Sequence, residues 1–497
     1  MSIRELKLFN TLGKKKETFT PIEPGKIKFY SCGPTVYGHI HIGNLRTAIV
    51  SDMFFRYFKR IGYDVKFARN YTDVDDKIIK LANNEGVEPS VITKKYIEAV
   101  EKDYQACGML EPTFKPLVTD TIPEIIAFIE DILKNDHAYV TKDNEVIYSV
   151  ASKKDYGKLS GKNIEELEAG ARVEINDQKK DPLDFILWKP AKPGEMCWDS
   201  PWGKGRPGWH IECSAMIRSL LGDQIDIHHG AIDLIFTHHE NEIAQSEAAT
   251  HKTPFVKVWM HNAFLNMSNQ KMSKSLGNIL TATEFLKTYN GEIARYISLS
   301  VHYRSAIDFD NSVIEKSIGE LQRIYSAKEK ALSFLKSDQN PSDEVWKPFI
   351  EQVESARIAI DNAFANDFNT PDVLAILFST IRSYNSLCGN EQTAQLSGHA
   401  KAASSLIKLI EEDVGGILGV GLLDPKSALL ALSQFKAKLS GNSTSRPNPD
   451  EIEALIVKRL EARKSKDFHT SDAIRDDLLK KGVLLKDGPK GTTWEYQ

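Results

Sequence analysis

The 497-residue chain is poor in cysteine. Its five cysteines, Cys32, Cys107, Cys197, Cys213 and Cys388, are odd in number and widely scattered, which argues against a disulfide framework and for reduced thiols, some of them free to bind a metal. No apolar run approaches the roughly 18 residues of a membrane span, so no membrane partner is expected. The opening stretch, MSIRELKLFNTLGKKKETF, has no signal-peptide core, and a cytoplasmic location follows as the expectation. There is no HExxH and no internal repeat, and the loop at 32–44 carries no GxGxxG. A net charge of −4 advertises no polyanion partner, so any nucleic-acid contact needs a local basic patch. What remains is the composition of an ordinary globular protein, 41% hydrophobic and 27% charged, long enough for about three domains.

Periodicity gives the order of the elements. KIKFYSCG (26–33) alternates and reads as a strand, and DVKFARNYTD (64–73) as a second. Between them, Leu45, Ile49, Met53, Phe54, Tyr57 and Phe58 recur at helical spacing. Strand, helix, strand over some 45 residues is a βαβ unit, hence a parallel α/β sheet. QIDIHH (224–229) and FVKVWM (255–260) read as later strands of that sheet, and the more polar stretch at about 115–200 as an insertion. From about 313 the pattern changes to long helices, one of them starting with Thr370 as cap and Pro371 in its first turn. LSGNSTSRPNPD (439–450) reads as a polar linker, followed by a small basic unit.

Three stretches carry chemistry. The loop after the first strand, CGPTVYGHIHIGN (32–44), holds His39, His41, Gly43 and Asn44 where a parallel sheet presents its ligand site. Gly43 lets a nucleotide approach the backbone, and His41 and Asn44 can donate hydrogen bonds to phosphate oxygens. KMSKS (271–275) places Lys271 and Lys274 in a loop after a strand, where they can neutralise charge developing on a triphosphate. FTHHENEIAQSE (236–247) puts His238 and Glu242 at i and i+4, on one helical face, as two ligands of one ion would be. An ordinary surface pair has the same spacing, and His239 is a rival for His238.

HIGN and KMSKS, in this order and about 230 residues apart, resemble the two signatures of class I aminoacyl-tRNA synthetases. CGPTVYGHIHIGNLRT, NYTDVDDKII, WDSPWGKGRPGWHIECSAM, HHENEIAQS, KMSKSLGN and LKDGPKGTTW resemble, more narrowly, the cysteinyl-tRNA synthetases, from about residue 7 to 497. The resemblance implies an α/β fold: a class I Rossmann-like catalytic domain at 1–312 with the insertion at 115–200, a tRNA-binding helical bundle at 313–425, and a small C-terminal anticodon-binding domain at 440–497. It implies L-cysteine, Mg2+ with ATP, and tRNA(Cys) as substrates, joined through a cysteinyl-adenylate, by a protein expected to be a monomer. It implies one Zn2+ per chain on Cys32, Cys213, His238 and Glu242, a donor set that suits zinc. Zinc deprotonates a coordinating thiol outright, whereas a serine hydroxyl holds its proton, so the ion separates cysteine from serine. Glu242 is the ligand expected to be most weakly held. Gly33, Thr35, Thr72, Trp209 and His238 match positions around the cysteine, Asp233 one near the ribose, and His41, Gly43, Asn44 and Lys274 the ATP contacts. Catalysis falls to His41, Asn44, Lys271 and Lys274. Two departures stand out: Asn44 replaces the last histidine of the first signature, and HHGAID (228–233) stands where the family often has glycines, so that His229 and Ala231 are expected to crowd the nucleotide.

KRLEARKSK (458–466) carries five basic residues in nine and reads as a phosphate-facing helix. A ligase joining cysteine to an amino-sugar resembles the catalytic half but lacks the C-terminal unit. A zinc-stabilised RNA-binding protein without catalysis is the third reading, against which HIGN and KMSKS both speak.

Overall fold

The computed structural model describes residues 5–161, 178–192, 194–267, 270–271, 280–335, 346–389, 399–439, 447, 449–465, 467–481, 483–488 and 491–496. Lys274 lies outside these residues, as do the side chain of Lys271 and most of the 439–450 linker.

A four-stranded sheet, parallel throughout, positions the site. Its order is Val256–Asn262, Ile225–Ala231, Lys26–Ser31, Asp64–Arg69. The first of these strands in sequence thus lies inside the sheet, and both faces are covered, so its residues are apolar beyond simple alternation. Ile27, Phe29 and Tyr30 are buried, and Phe29 stacks on its register partner Phe67 at 4.4 Å. The chain leaves Lys26–Ser31 towards one edge and later returns on its other side at Ile225–Ala231. That reversal opens a crevice beyond the strands' carboxyl ends, the usual ligand position in such sheets.

The crossover helix Ile42–Arg60 begins at this crevice. His41 is its N-cap: His41 Nδ1 accepts from the Asn44 backbone N–H (3.2 Å), and Asn44 Oδ1 accepts from the His41 backbone N–H (3.3 Å). This reciprocal box satisfies two backbone donors. Asn at position 44 is therefore well suited to holding the helix start.

Between the second and third strands lie helices, among them Asp76–Glu85, Pro89–Ala106 and Ile122–Lys134, and a four-stranded antiparallel sheet, Ala138–Val140, Val146–Tyr148, Phe185–Pro190 and Gly205–Pro207. This sheet runs past residue 200 and ends directly before the helix Trp209–Leu221. Further on, the helices Asn311–Phe334, Lys347–Ala365, Thr370–Cys388 and Pro425–Leu439 share a hydrophobic core with the parallel sheet. One cap differs from expectation. Asn369, not Thr370, is the N-cap: its Oδ1 accepts from Asp372 N, which places Thr370 and Pro371 inside the first turn. Among the described residues no helix is long and apolar enough to cross a membrane.

The last unit packs helices Pro449–Lys464 and Phe468–Lys480 on the hairpin Val483–Gly488/Gly491–Tyr496, around a small core of its own formed by Ile452, Ile456, Leu478 and Val483. KRLEARKSK does not turn all its basic residues to solvent. Arg459 is 2% exposed and grips Asp487 through both arms of its fork, at 2.8 Å each. It joins the first helix to the hairpin and is not a phosphate contact, whereas Lys458 and Lys464 are exposed, and Arg463, exposed as well, also reaches Asp487 at 3.1 Å. Arg459→Ala is expected to cost this unit about 1–3 kcal/mol, read as a lower unfolding temperature of the C-terminal transition. The hydrogen bonds from Arg459 and then Thr492 hold the Asp487 carboxyl below the usual carboxylate range. That contribution is present above the ordinary carboxylate pKa and is lost as pH falls through the depressed folded value.

Candidate active site and metal-ligating cluster

The crevice contains a cavity of about 180 Å³ lined by Cys32, Gly33, Thr35, Asn44, Trp209, Ala231 and Asp233, among others. Gly33 is there because nothing larger fits: a Cβ on it would lie 1.7 Å from the carbonyl oxygen of Asn70. Its N–H donates to Asn70 Oδ1 (2.9 Å), and the loop then pairs with the next one through Val36 N to Thr72 O (3.1 Å) and Thr72 N to Pro34 O (3.2 Å). Thr72 Oγ1 in turn donates to Glu212 Oε2 (3.4 Å). The loop bearing Cys32 is thereby tied to the helix bearing Cys213. Trp209 is 46% exposed and stacks on His238, ring centres 4.7 Å apart. Asp233 sits on the short turn after Ile225–Ala231.

At one side of the cavity, one ligand atom each from Cys32, Cys213, His238 and Glu242 lies within 4.8 Å of the others. Cys32 Sγ is 3.9 Å from Cys213 Sγ and 4.0 Å from Glu242 Oε1, and His238 Nε2 is 3.1 Å from Glu242 Oε1. Four separate elements deliver them: the end of the central strand, the helix Trp209–Leu221, the turn Ile235–His239, and the helix Glu240–Thr250. Burial pushes the Glu242 carboxyl well up and the His238 imidazole down. The two thiols part company: burial raises Cys32, while the hydrogen bond from Cys32 and the adjoining His238 bring Cys213 down to about 6. A cation among the four reverses the cost of burying them charged.

A second combination, Cys32, His228, His239 and Glu242, is equally compact. His239 Nε2 is 3.5 Å from Cys32 Sγ, and its Nδ1 is 2.7 Å from His261 Nε2. His228 Nε2 is 3.0 Å from Glu242 Oε2, and His210 Nδ1 is 3.1 Å from His238 Nδ1. Five of the chain's 13 histidines therefore gather here. His210, His228, His261 and Asn70 were not singled out by the sequence. The density of histidine at 228–229 and 238–239 was the available signal.

Some expected residues fall elsewhere. His41 and Gly43 stand at the helix start beside the cavity but do not line it. His229 does not crowd a nucleotide. Its ring is turned under the crossover helix, where Nδ1 meets Ser51 Oγ at 2.8 Å and the ring edge meets Phe54. Only Ala231 of that pair reaches the cavity. The chain resumes after KMSKS next to the HIGN loop: Ile42 N donates to Leu280 O (3.1 Å) and Ala282 N to Ile40 O (2.8 Å).

Comparison with known proteins bears on this architecture. Residues 18–319 match the tRNA synthetases class I (C) catalytic domain, 359–423 the DALR domain, and 447–494 the cysteinyl-tRNA ligase anticodon binding domain. The chain is 43% identical over 492 residues to the cysteine–tRNA ligase of Bdellovibrio bacteriovorus, covering 99% of each. It is 44% identical over 502 residues to that of Geotalea daltonii, covering 99% of this chain and 100% of the relative. Among solved structures, methionyl-tRNA synthetase of Mycobacterium tuberculosis bound by methionyl-adenylate shares the fold with a TM-score of 0.59 at 12% identity, over 86% of this chain and 95% of that one. The leucyl-tRNA synthetase of Agrobacterium radiobacter, in complex with tRNA, does so with a TM-score of 0.56 at 12% identity, over 86% of both chains. With a class I catalytic domain over more than half its length and such relatives end to end, the chain belongs to the cysteinyl-tRNA ligase family of class I aminoacyl-tRNA synthetases.

Proposed function

We propose that the protein attaches L-cysteine to tRNA(Cys) in two steps, first forming cysteinyl-adenylate and pyrophosphate from cysteine and Mg·ATP, then passing the cysteinyl group to the terminal adenosine of the tRNA. The observation that carries this reading is the donor set of half-buried Cys32 and buried Cys213, His238 and Glu242 beside a class I crevice. Two thiols, an imidazole and a carboxylate fit Zn2+ better than a hard cation such as Mg2+. These four residues would hold the ion, and it would supply affinity for the substrate's sulfur as thiolate. Between His238 and His239 we favour His238, because it completes the set with both thiols.

The chain's own groups do the rest. Gly33 lets the loop close against the Asn70 carbonyl and so shapes the cavity wall, and Trp209 covers the substrate from the open side. The N-terminus of Ile42–Arg60, fixed by the His41–Asn44 box, turns the positive end of its dipole towards phosphate. Asp233 accepts from the ribose hydroxyls, and Lys271 and Lys274 neutralise charge on the triphosphate. No protein nucleophile is needed; positioning and charge stabilisation drive the first step. Lys274→Ala is expected to raise the barrier to adenylate formation by about 2–4 kcal/mol, measured by pyrophosphate exchange, with cysteine affinity unchanged. An exchange rate equal to wild type removes Lys274 from this role.

The amino-sugar ligase is disfavoured by the match at 447–494 to an anticodon binding domain. The protein is read as a monomer acting in the cytoplasm. Cysteine-dependent charging of total tRNA tests the proposal: charged tRNA(Cys) is expected, and pyrophosphate exchange without any charging returns the amino-sugar ligase.

A further inference from the structure

Arg69 ends the strand Asp64–Arg69 and lines the same cavity as Cys32, Gly33 and Asn44. Its backbone is fixed, with N–H donating to Phe114 O at 3.0 Å, and its stem runs beside Gly33. Its guanidinium lies 4.2 Å from the ring centre of Tyr104, another residue of the cavity wall. The residue is 3% exposed, yet among the described residues it makes no ion pair, and its Nε and Nη1 have no hydrogen-bond partner. Compare the other deeply buried arginines. Arg46 donates to four carbonyl oxygens, Arg295 pairs with Asp52 at 2.6 Å, and Arg206 pairs with Asp76 and Glu195. A buried guanidinium without such partners carries a desolvation penalty that a cation–π contact offsets only in part. Stacked on Tyr104, the planar fork keeps its N–H edge available, the geometry that suits carboxylate or phosphate.

We infer that Arg69 is the oxyanion receptor of the cavity, binding either the carboxylate of the bound amino acid or the phosphoryl group of the nucleotide joined to it. This rests on the synthetase reading, because it takes the cavity to be the one that holds cysteine and adenylate. The missing partner is then the substrate: binding brings a negative group to a cation already desolvated and aimed. Tyr104 is the positioning residue beneath it.

The test uses the full-length, metal-loaded protein and Arg69→Met, which keeps much of the stem and removes the charge. Unfolding temperature is measured without ligand, and calorimetric affinities for L-cysteine, for cysteamine (thiol and amine without carboxylate) and for AMP. Without ligand, Arg69→Met is expected to be at least as stable as wild type, since an unpaired buried charge has been removed. If Arg69 holds the carboxylate, wild type prefers cysteine to cysteamine by about tenfold to a hundredfold and the variant loses most of that preference. If it holds the phosphoryl group, the preference stays and AMP affinity falls by a similar factor. Arg69→Lys should recover part of the loss, because it restores charge without the fork. A variant that binds all three probes as wild type does, or that is less stable than wild type before ligand is added, overturns the inference. Wild-type binding of cysteine, read in the same titrations, reports separately on the synthetase reading.

Discussion

Cys213→Ser is expected to strip the protein of its metal and to lower cysteine-dependent pyrophosphate exchange by about 10³-fold or more, on the scale of sites built around one specific polar interaction. The oxygen of serine is a poor substitute in a thiolate position, and Cys213 is 3% exposed, so no water replaces the lost donor without rearrangement. Its sulfur lies 3.9 Å from that of Cys32, inside the four-donor cluster. ATP affinity should stay within about twofold, because His41 and Asn44 contribute no ligand to the cluster. Metal analysis and equilibrium ATP binding on the same preparation check both halves. Full zinc content in the serine variant would remove Cys213 from the ligand set.

Deletion of residues 440–497 should separate tRNA reading from chemistry. The unit has its own core in Ile452, Ile456, Leu478 and Val483, so its removal leaves the catalytic core's packing largely untouched. Pyrophosphate exchange with cysteine is expected to remain near wild type. Charging at low tRNA should fall by roughly 10²-fold or more, with log affinity depending less steeply on log salt by about 0.7–0.9 for each phosphate that is no longer bound. Replacing Lys458 and Lys464 together should reproduce part of this loss without unfolding the unit, since both are exposed. Arg459 and Arg463 do not belong in that test, because both bond Asp487 and their loss acts through stability. Charging by the truncated protein at the full-length rate would show that the unit does not read tRNA.

Local pattern carried the sequence reading furthest where the physics is local. The strands, the crossover helix and the i, i+4 relation of His238 to Glu242 all follow from periodicity. The join between Cys32 and Cys213, 181 residues apart, does not. It came only through the resemblance, since nothing in the spacing says that the loop after one strand meets a later helix. Long-range partners explain the misreadings as well. Five basic residues between 458 and 466 looked like a phosphate face because charge is visible in sequence and the Asp487 partner of Arg459 is not. His229 looked like a crowding residue because alternation along Ile225–Ala231 does not say which face meets the crossover helix. Arg69 passed as an ordinary strand residue, because its burial without a partner exists only in three dimensions. The cap at Asn369 rather than Thr370 is a smaller case: two good capping residues stood side by side, and the turn geometry chose between them.

The central claim is that this cluster recognises the sulfur of cysteine. The most direct measurement replaces the metal with Co2+, whose absorption reports its ligands, and titrates cysteine and then serine in the absence of ATP. The account predicts a thiolate-to-cobalt band that grows further with cysteine, saturates at one equivalent, and is unmoved by serine. Cobalt failing to bind, or a spectrum blind to cysteine in a protein that still exchanges pyrophosphate, would contradict it.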